Sequence, residues 1–496
     1  MKASRLRSCR RLAFLLGLLG TGWGCSADPP ASTDAAEEAD ADDAEPAPVC
    51  PPGAALVPVA SVDYVAGGAP SRVSIAADGR EILLVSPSYD EYGSIHSALS
   101  GLRTRATTTT LEVGAELPFS GVPIRCDDYS GNFRLAGGDG YAVAWQSFIW
   151  NDIDLNPWDP HELIHVADPT RTCIYHLGYG WGDGAPCGAI LEAWNGDAST
   201  LRYVTDIARS GETWTVMAAE ALDACPPGSP AFPSPFCGCH DGYRTPPEPA
   251  LLTSLRLYSV VPPPQEPVSG PHLTWSYDFS PHVGASVAVL RGDGAGVRLA
   301  FSERAPDGDP SAGWRIEVRS FDWTVGREPV AVLRVPADAL GVAGPLEVAD
   351  LLVVGDDIIL AFFAGTLGAE RTAHLAVVPR DFDPAGGTVR TSSFGTCLRS
   401  IRLAAAQHSA LMVGLCREDL TDLHSPGTAV FWQAAEPAAL LDAATPSFRI
   451  EPGPGRTRIC QAEPAATDAG SYGLAVVECN ESGASCDITL RLIGCP

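Results

Sequence analysis

One unit recurs along this chain: an apolar strand, a tight turn of Gly, Asp or other polar residues, and a second strand rich in Ala, Val, Leu and Ile. The copies are Val73–Val85 turning at Gly79, Phe133–Trp145 at Gly140, Ile174–Trp194 at Gly184 and Val287–Phe301 at Gly294. Three more follow: Leu351–Phe363 at Asp356, Ile401–Cys416 at His408 and Cys460–Cys479 at Gly470. Turns are 44 to 62 residues apart, save one gap of 110. Only 19% of residues are charged, Gly (50) and Pro (43) are frequent, and long amphipathic helical patterns are hard to find. Short apolar runs bounded by turn residues mark an all-β chain.

Each unit leaves room for two more strands after its hairpin. A repeat of four strands resembles a β-propeller, whose blades run ~40–50 residues. The resemblance implies an all-β propeller of about seven four-stranded blades with enlarged loops over residues 50–496. Leu201–Ala219 reads as a third-and-fourth-strand pair. The long gap leaves room for an eighth blade around Leu251–Val261. A pair of β-sandwiches is the alternative, since alternating strands suit both.

The N-terminus sets the address. Lys2, Arg5, Arg7, Arg10 and Arg11 precede an apolar run, Leu12 to Leu19, too short for the ~20 residues of a membrane-spanning helix. Residues 1–25 read as an export signal. Gly22-Trp23-Gly24-Cys25 resembles the bacterial lipoprotein signal, in which the cysteine receives lipid and becomes the mature N-terminus. That resemblance implies an outer-membrane or cell-surface lipoprotein anchored through Cys25. Cleavage after Ala27 and plain secretion is the alternative. Residues 26–49 hold acidic residues from Asp28 to Glu45 and no basic ones, so they form an extended disordered linker.

The formal net charge is −27, from 33 basic and 60 acidic residues. Such a surface repels phosphate backbones, which excludes nucleic acid as a partner. The only lysine is Lys2, in the leader. Schiff-base, pyridoxal and phosphate-loop lysine chemistry is therefore closed to the mature chain.

Of fifteen cysteines, Cys9 and Cys25 belong to the leader. In an oxidising compartment the rest default to disulfides. Cys397–Cys416 and Cys460–Cys479 each straddle a turn almost symmetrically, so each pair can staple the open end of a hairpin. Cys50 with Cys495 joins the first strand to the last. Cys225, Cys237, Cys239 and His240 form a Pro-rich cluster that reads as a disulfide-pinned loop or a metal site.

Three strings carry candidate chemistry. His161-Glu162-Leu163-Ile164-His165 resembles the zinc metallopeptidase motif, which implies His161 and His165 as ligands and Glu162 as the base that activates water. That requires a helix. On a strand the two histidines stand ~13 Å apart, too far to share one ion. Asp152, Asp154, Asn156 and Asp159 alternate as oxygen ligands do in the calcium loops of some propellers; a plain polar loop that needs no cofactor is the favoured reading and a calcium site the alternative. Phe133-Arg134-Leu135-Ala136 and Gly211-Glu212-Thr213-Trp214 resemble the sialidase Phe-Arg-Ile-Pro signature and the tail of its aspartate box, with Arg209 in place of the aspartate. That resemblance implies arginines from several blades gathering on a carboxylate, with a tyrosine nucleophile. Arg291-Gly292-Asp293 reads as a plain turn. With no complete catalytic motif, the sequence favours a membrane-tethered, non-catalytic binding or scaffold module for a protein or glycan. An exported sialidase-like glycan hydrolase and a zinc hydrolase are the alternatives.

Overall fold

The computed structural model describes residues 49–496, apart from 65–72, 89–96, 125–132, 139, 150–160, 173–185, 196–199, 223–251, 262–272, 280–288, 294–295, 305–312, 356, 366–370, 384–388, 421–424, 444 and 482–484. Cys25 and the acidic linker, the proposed calcium residues Asp152, Asp154, Asn156 and Asp159, and the Cys225, Cys237, Cys239, His240 cluster lie outside the described residues.

The strands form five antiparallel sheets of four and one sheet of eight, in which a single parallel bridge from Gly427 to Arg458 joins two antiparallel sets of four, making seven sets in all. The first blade is Ser74–Asp78, Glu81–Ser88, Ser97–Ala106 and Leu111–Ile124. The second is Phe133–Ala136, Ala142–Ile149, His161–Thr172 and Pro186–Asn195, and the third is Thr200–Ser210, Thr213–Leu222, Leu252–Val260 and Leu273–Asp278. The fourth is Val289–Asp293, Gly296–Arg304, Trp314–Phe321 and Ala331–Pro336. The fifth is Leu346–Val354, Asp357–Ala364, Thr372–Pro379 and Arg390–Gly395, and the sixth is Leu398–Ala406, Ser409–Arg417, Gly427–Ala434 and Phe448–Ile450. In the seventh, Arg458–Ala466, Tyr472–Cys479 and Cys486–Gly494 are completed by the N-terminal strand Val57–Tyr64. The first strand of every blade touches the first strand of the next, and the seventh touches the first, so the innermost strands close a ring. The protein is a seven-bladed β-propeller.

Burial follows from that geometry. Each blade is sandwiched between two others, so a second strand needs apolar residues on both faces. Tyr472–Cys479 is buried at every position, and Asp357–Ala364 at all but its first. The outer strand Ala331–Pro336 returns to alternation. Seven separate apolar clusters fill the seven gaps between neighbouring blades. Near the axis the backbones approach so closely that a Cβ on Gly292 would collide with the Arg209 carbonyl of the preceding blade.

The ring closes between blades seven and one. Val57–Tyr64 pairs with Cys486–Gly494, and Cys50 is disulfide-bonded to Cys495. The Gln461 amide accepts from Val73 N–H at 2.9 Å and donates to Val73 O at 2.7 Å, tying the innermost strand of the last blade to the approach of the first.

The long gap between predicted hairpins resolves as a change of frame. Pro186–Asn195 is the outermost strand of the second blade, so Ile174–Trp194 does not open a blade. Leu201–Ala219 falls in the two innermost strands of the third blade rather than its outer pair. Leu252–Val260 is that blade's third strand, and the ring of innermost strands has no place for an eighth among the described residues. Composition could not reveal this, because inner and outer strands of this chain share the same apolar vocabulary.

The cysteines divide. Cys397–Cys416 is a disulfide across the first hairpin of the sixth blade. Cys479 pairs with Cys486 instead of Cys460, whose thiol is free. The reason is register: Cys479 stands directly opposite Cys486, whereas it faces Arg458, not Cys460, on its other side.

Candidate site in the central pocket

The innermost strands enclose a cavity of about 540 Å³ on the ring axis. Six of the seven blades line it with an ionisable residue of the innermost strand, Arg134, Asp206, Arg291, Asp350, Arg402 and Glu463 in blade order two to seven, and the third blade adds Arg209. Charges alternate round the ring. Seven is odd, so strict alternation cannot close, and the first blade supplies the neutral Ser74.

Two β-bulges aim the aspartates. The ladder of the third blade slips between Val204 and Asp206, and that of the fifth between Val348 and Asp350. A bulge leaves one residue unpaired and bends its strand. Here the extra residues are Thr205 and Ala349, whose carbonyls each accept from an arginine of a flanking blade: Arg134 Nε to Thr205 O at 3.0 Å, and Arg402 to Ala349 O at 3.1 Å. Each aspartate also caps the next blade's backbone. Leu290 N–H donates to Asp206 at 3.0 Å and Leu403 N–H to Asp350 at 2.8 Å. Ser74 Oγ does the same for Leu135 N–H at 3.0 Å. The polar ring is thus part of the seam between blades, satisfying groups that a dry interface would leave stranded.

Arg291 is the centre of this array. It bridges Asp206 at 2.9 Å and Asp350 at 2.5 Å. The Asp350 side chain is fully buried; burial pushes its carboxyl above the usual range, against the pull of Arg291, Arg402 and the Leu403 and Leu351 N–H groups. Burial works against the Arg291 charge too, but Asp350, Asp206 and Glu463 raise its pKa above the usual arginine value. Glu463 pairs with Arg402 at 3.3 Å and accepts from Gln461 at 2.9 Å. Burial raises its carboxyl, and the opposing effects of Arg402, Arg134 and Gln461 outweigh that, leaving it below the usual range.

Arg134 differs. It donates to two backbone carbonyls, Thr205 O and its neighbour Phe133 O, each at 3.0 Å, and it makes no ion-pair contact among the described residues. Burial lowers its pKa, an effect that Glu463 and Asp206 only partly offset from a distance. A guanidinium with spare donors facing a charged cavity is suited to a bidentate acceptor such as a carboxylate.

The predicted site residues fare unevenly. Arg134, from the sialidase-like fragment, reaches the pocket. Gly211-Glu212-Thr213-Trp214 spans the turn between the first and second strands of the third blade, not the third and fourth, and the Gly211 φ of 57° meets the turn's need for a left-handed residue. Arg209 donates to Gly211 O at 2.9 Å and also lines the cavity. Arg291-Gly292-Asp293 ends an innermost strand and turns its arginine into the pocket, so the turn reading is incomplete. His161, Glu162 and His165 lie on the extended third strand of the second blade, opposite Ile149, Phe148 and Trp145. The helical spacing that a shared zinc requires is therefore absent there. Asp206, Asp350, Arg402 and Glu463 were not singled out from sequence. No lone charge marks them, since each shares its innermost strand with another charged residue, Arg209, Glu347, Arg399 and Arg458 respectively.

No family model matches the chain, and no curated protein matches it. Among solved structures it is similar to the polysaccharide lyase Uly1, at 9% identity and TM-score 0.48, covering 89% of this chain and 100% of that one. It is also similar to the hemagglutinin-neuraminidase ectodomain of parainfluenza virus 5, at 8% identity and TM-score 0.41, covering 89% and 84%. A neuraminidase-like protein from a Guatemalan bat isolate gives 7% identity and TM-score 0.38, covering 88% and 94%. Likenesses this distant carry no conclusion about the pocket.

Proposed function

We propose that the protein is a non-catalytic binding module whose central pocket takes a carboxylate-bearing saccharide, with Arg134 as the anchor for the carboxylate. The observation that carries this reading is Arg134 itself, a cavity-facing guanidinium held, among the described residues, by two backbone carbonyls and no carboxylate. Binding without turnover is supported by the state of the carboxylates. Asp206 and Asp350 are held by Arg291 and by backbone N–H groups, and Glu463 by Arg402 and Gln461. An acid–base pair for glycoside cleavage needs carboxyl groups free to move protons. Among the described residues the pocket lining contains no tyrosine, histidine or cysteine to serve as a nucleophile.

The same proposal places the propeller outside the cytoplasm, tethered through Cys25 by the acidic linker of residues 26–49. The disulfides Cys50–Cys495, Cys397–Cys416 and Cys479–Cys486 support an oxidising compartment. Among the described residues no helix is long and apolar enough to cross a membrane.

A glycan array probed with the purified protein and with Arg134→Ala tests the pocket reading. Retention of uronic or sialic acid glycans over their neutral counterparts, lost in the variant, is expected. Equal binding of neutral and acidic glycans, or release of product from fluorogenic glycosides by the wild type, overturns it. The mass of the N-terminal peptide of the exported protein tests the anchor, a diacylglyceryl adduct on Cys25 being the expected result.

A further inference from the structure

The Sγ atoms of Cys460, Cys479 and Cys486 all lie within 4.8 Å of one another, although only Cys479 and Cys486 are bonded. The seventh blade brings them together from three neighbouring strands. Cys460 is on the innermost, Cys479 ends the second and Cys486 begins the third. Cys479 is the middle sulfur, within reach of a partner on either side. Cys460 is the extra residue of a β-bulge, since the ladder passes from Ile459 opposite Glu478 directly to Gln461 opposite Val477. Arg458 Nε donates to Cys460 Sγ at 3.3 Å, which sets a positive charge beside the sulfur.

We propose that Cys460 is an internal attacking thiol and that the seventh blade exchanges between two disulfides, Cys479–Cys486 and Cys460–Cys479. The deprotonated Sγ of Cys460 forms a bond to Sγ of Cys479. The Cys479–Cys486 bond breaks, and Cys486 leaves as the thiolate and takes up the proton that Cys460 gave up. One disulfide is consumed and one formed, so the step needs no oxidant or reductant. Arg458 is the charge partner of the attacking sulfur.

The exchange moves a covalent clip from the second-and-third strand pair to the first-and-second. It acts directly beside the ring closure, because the residue after Cys460 is Gln461. The Gln461 amide holds both polar backbone groups of Val73 and donates to Glu463 in the pocket wall. The outcome is a thiol that changes place, from the blade's inner edge to its outer turn.

Peptide mapping tests this. Trypsin leaves all three cysteines on one peptide, Ile459–Arg491, whereas cleavage after Glu478 and Glu481 separates them. The full-length protein is incubated at neutral pH without added thiol, quenched in acid, unfolded and labelled with N-ethylmaleimide. Label is expected on both Cys460 and Cys486, with both disulfides recovered. Label confined to Cys460 at all times overturns the proposal. In Cys486→Ser the expected bond is Cys460–Cys479; two free thiols in that variant count equally against it. If the variant fails to fold, the wild-type labelling pattern decides alone.

Discussion

Replacing Arg291 with Met removes the cation between two carboxylates while keeping most of the side chain's length. Asp350, fully buried, loses its 2.5 Å partner, and Asp206 its 2.9 Å partner. Stranding a buried charge in this way costs about 3–5 kcal/mol. Asp350→Asn, which neutralises the acid but keeps an acceptor oxygen for only one of the Leu403 and Leu351 N–H groups, costs about 1–3 kcal/mol. Arg291 has lost a reason to be there once Asp350 is gone, so the double variant falls short of the sum by about 1–3 kcal/mol. The propeller unit, Ala47–Pro496, has an unfolding entropy of roughly 0.9 kcal/mol/K at ~2.1 cal/mol/K per residue, so each kcal/mol lowers Tm by about 1 °C. Arg291→Met therefore melts about 3–5 °C below wild type. Scanning calorimetry on the four proteins, disulfides intact, measures the cycle. Losses that add to within about 0.5 kcal/mol would refute a coupled ring.

Four further outcomes follow from the same geometry. Cys50→Ser with Cys495→Ser opens a loop of 445 residues, for which chain entropy sets an upper loss of about 6 kcal/mol, read as a fall in Tm that reductant reproduces in the wild type. Glu463 has a lowered folded pKa, so its contribution is complete above the unfolded value of about 4.3 and disappears as pH falls through the folded one. Melting curves of wild type and Glu463→Gln should therefore converge in acid and stay separated at neutral pH; a constant gap contradicts this. Gly292→Ala drives a methyl into the Arg209 carbonyl and should destabilise by about 1–3 kcal/mol in a urea titration. Arg134→Ala leaves every carboxylate pair intact, so it should abolish retention of acidic glycans while shifting Tm far less than Arg291→Met does.

Strand content and the hairpin repeat were legible because second strands such as Tyr472–Cys479 are apolar on both faces and end at turn residues. The frame within the third blade was not, because Thr200–Ser210 and Thr213–Leu222 read equally well as inner or outer strands. His161-Glu162-Leu163-Ile164-His165 shows the limit of a motif: five residues suit a helix, but pairing with Ala142–Ile149 on one side and Pro186–Asn195 on the other makes them a strand. Arg134 was legible through its fragment. Asp206 and Asp350 were not, since their aim depends on bulges that no local pattern announced.

The sequence by itself determined an all-β chain of repeated hairpins and a lysine-free, acidic composition, because both follow from residue type and local periodicity. Tertiary structure decided which strand of each repeat faces the axis, and so which charges meet. Arg291 sits 85 residues from Asp206 and 59 from Asp350, and only the packing of successive blades makes them neighbours. It likewise decided that Cys479 bonds Cys486, since spacing placed Cys460 equally well across its hairpin and the bulge moved it out of register.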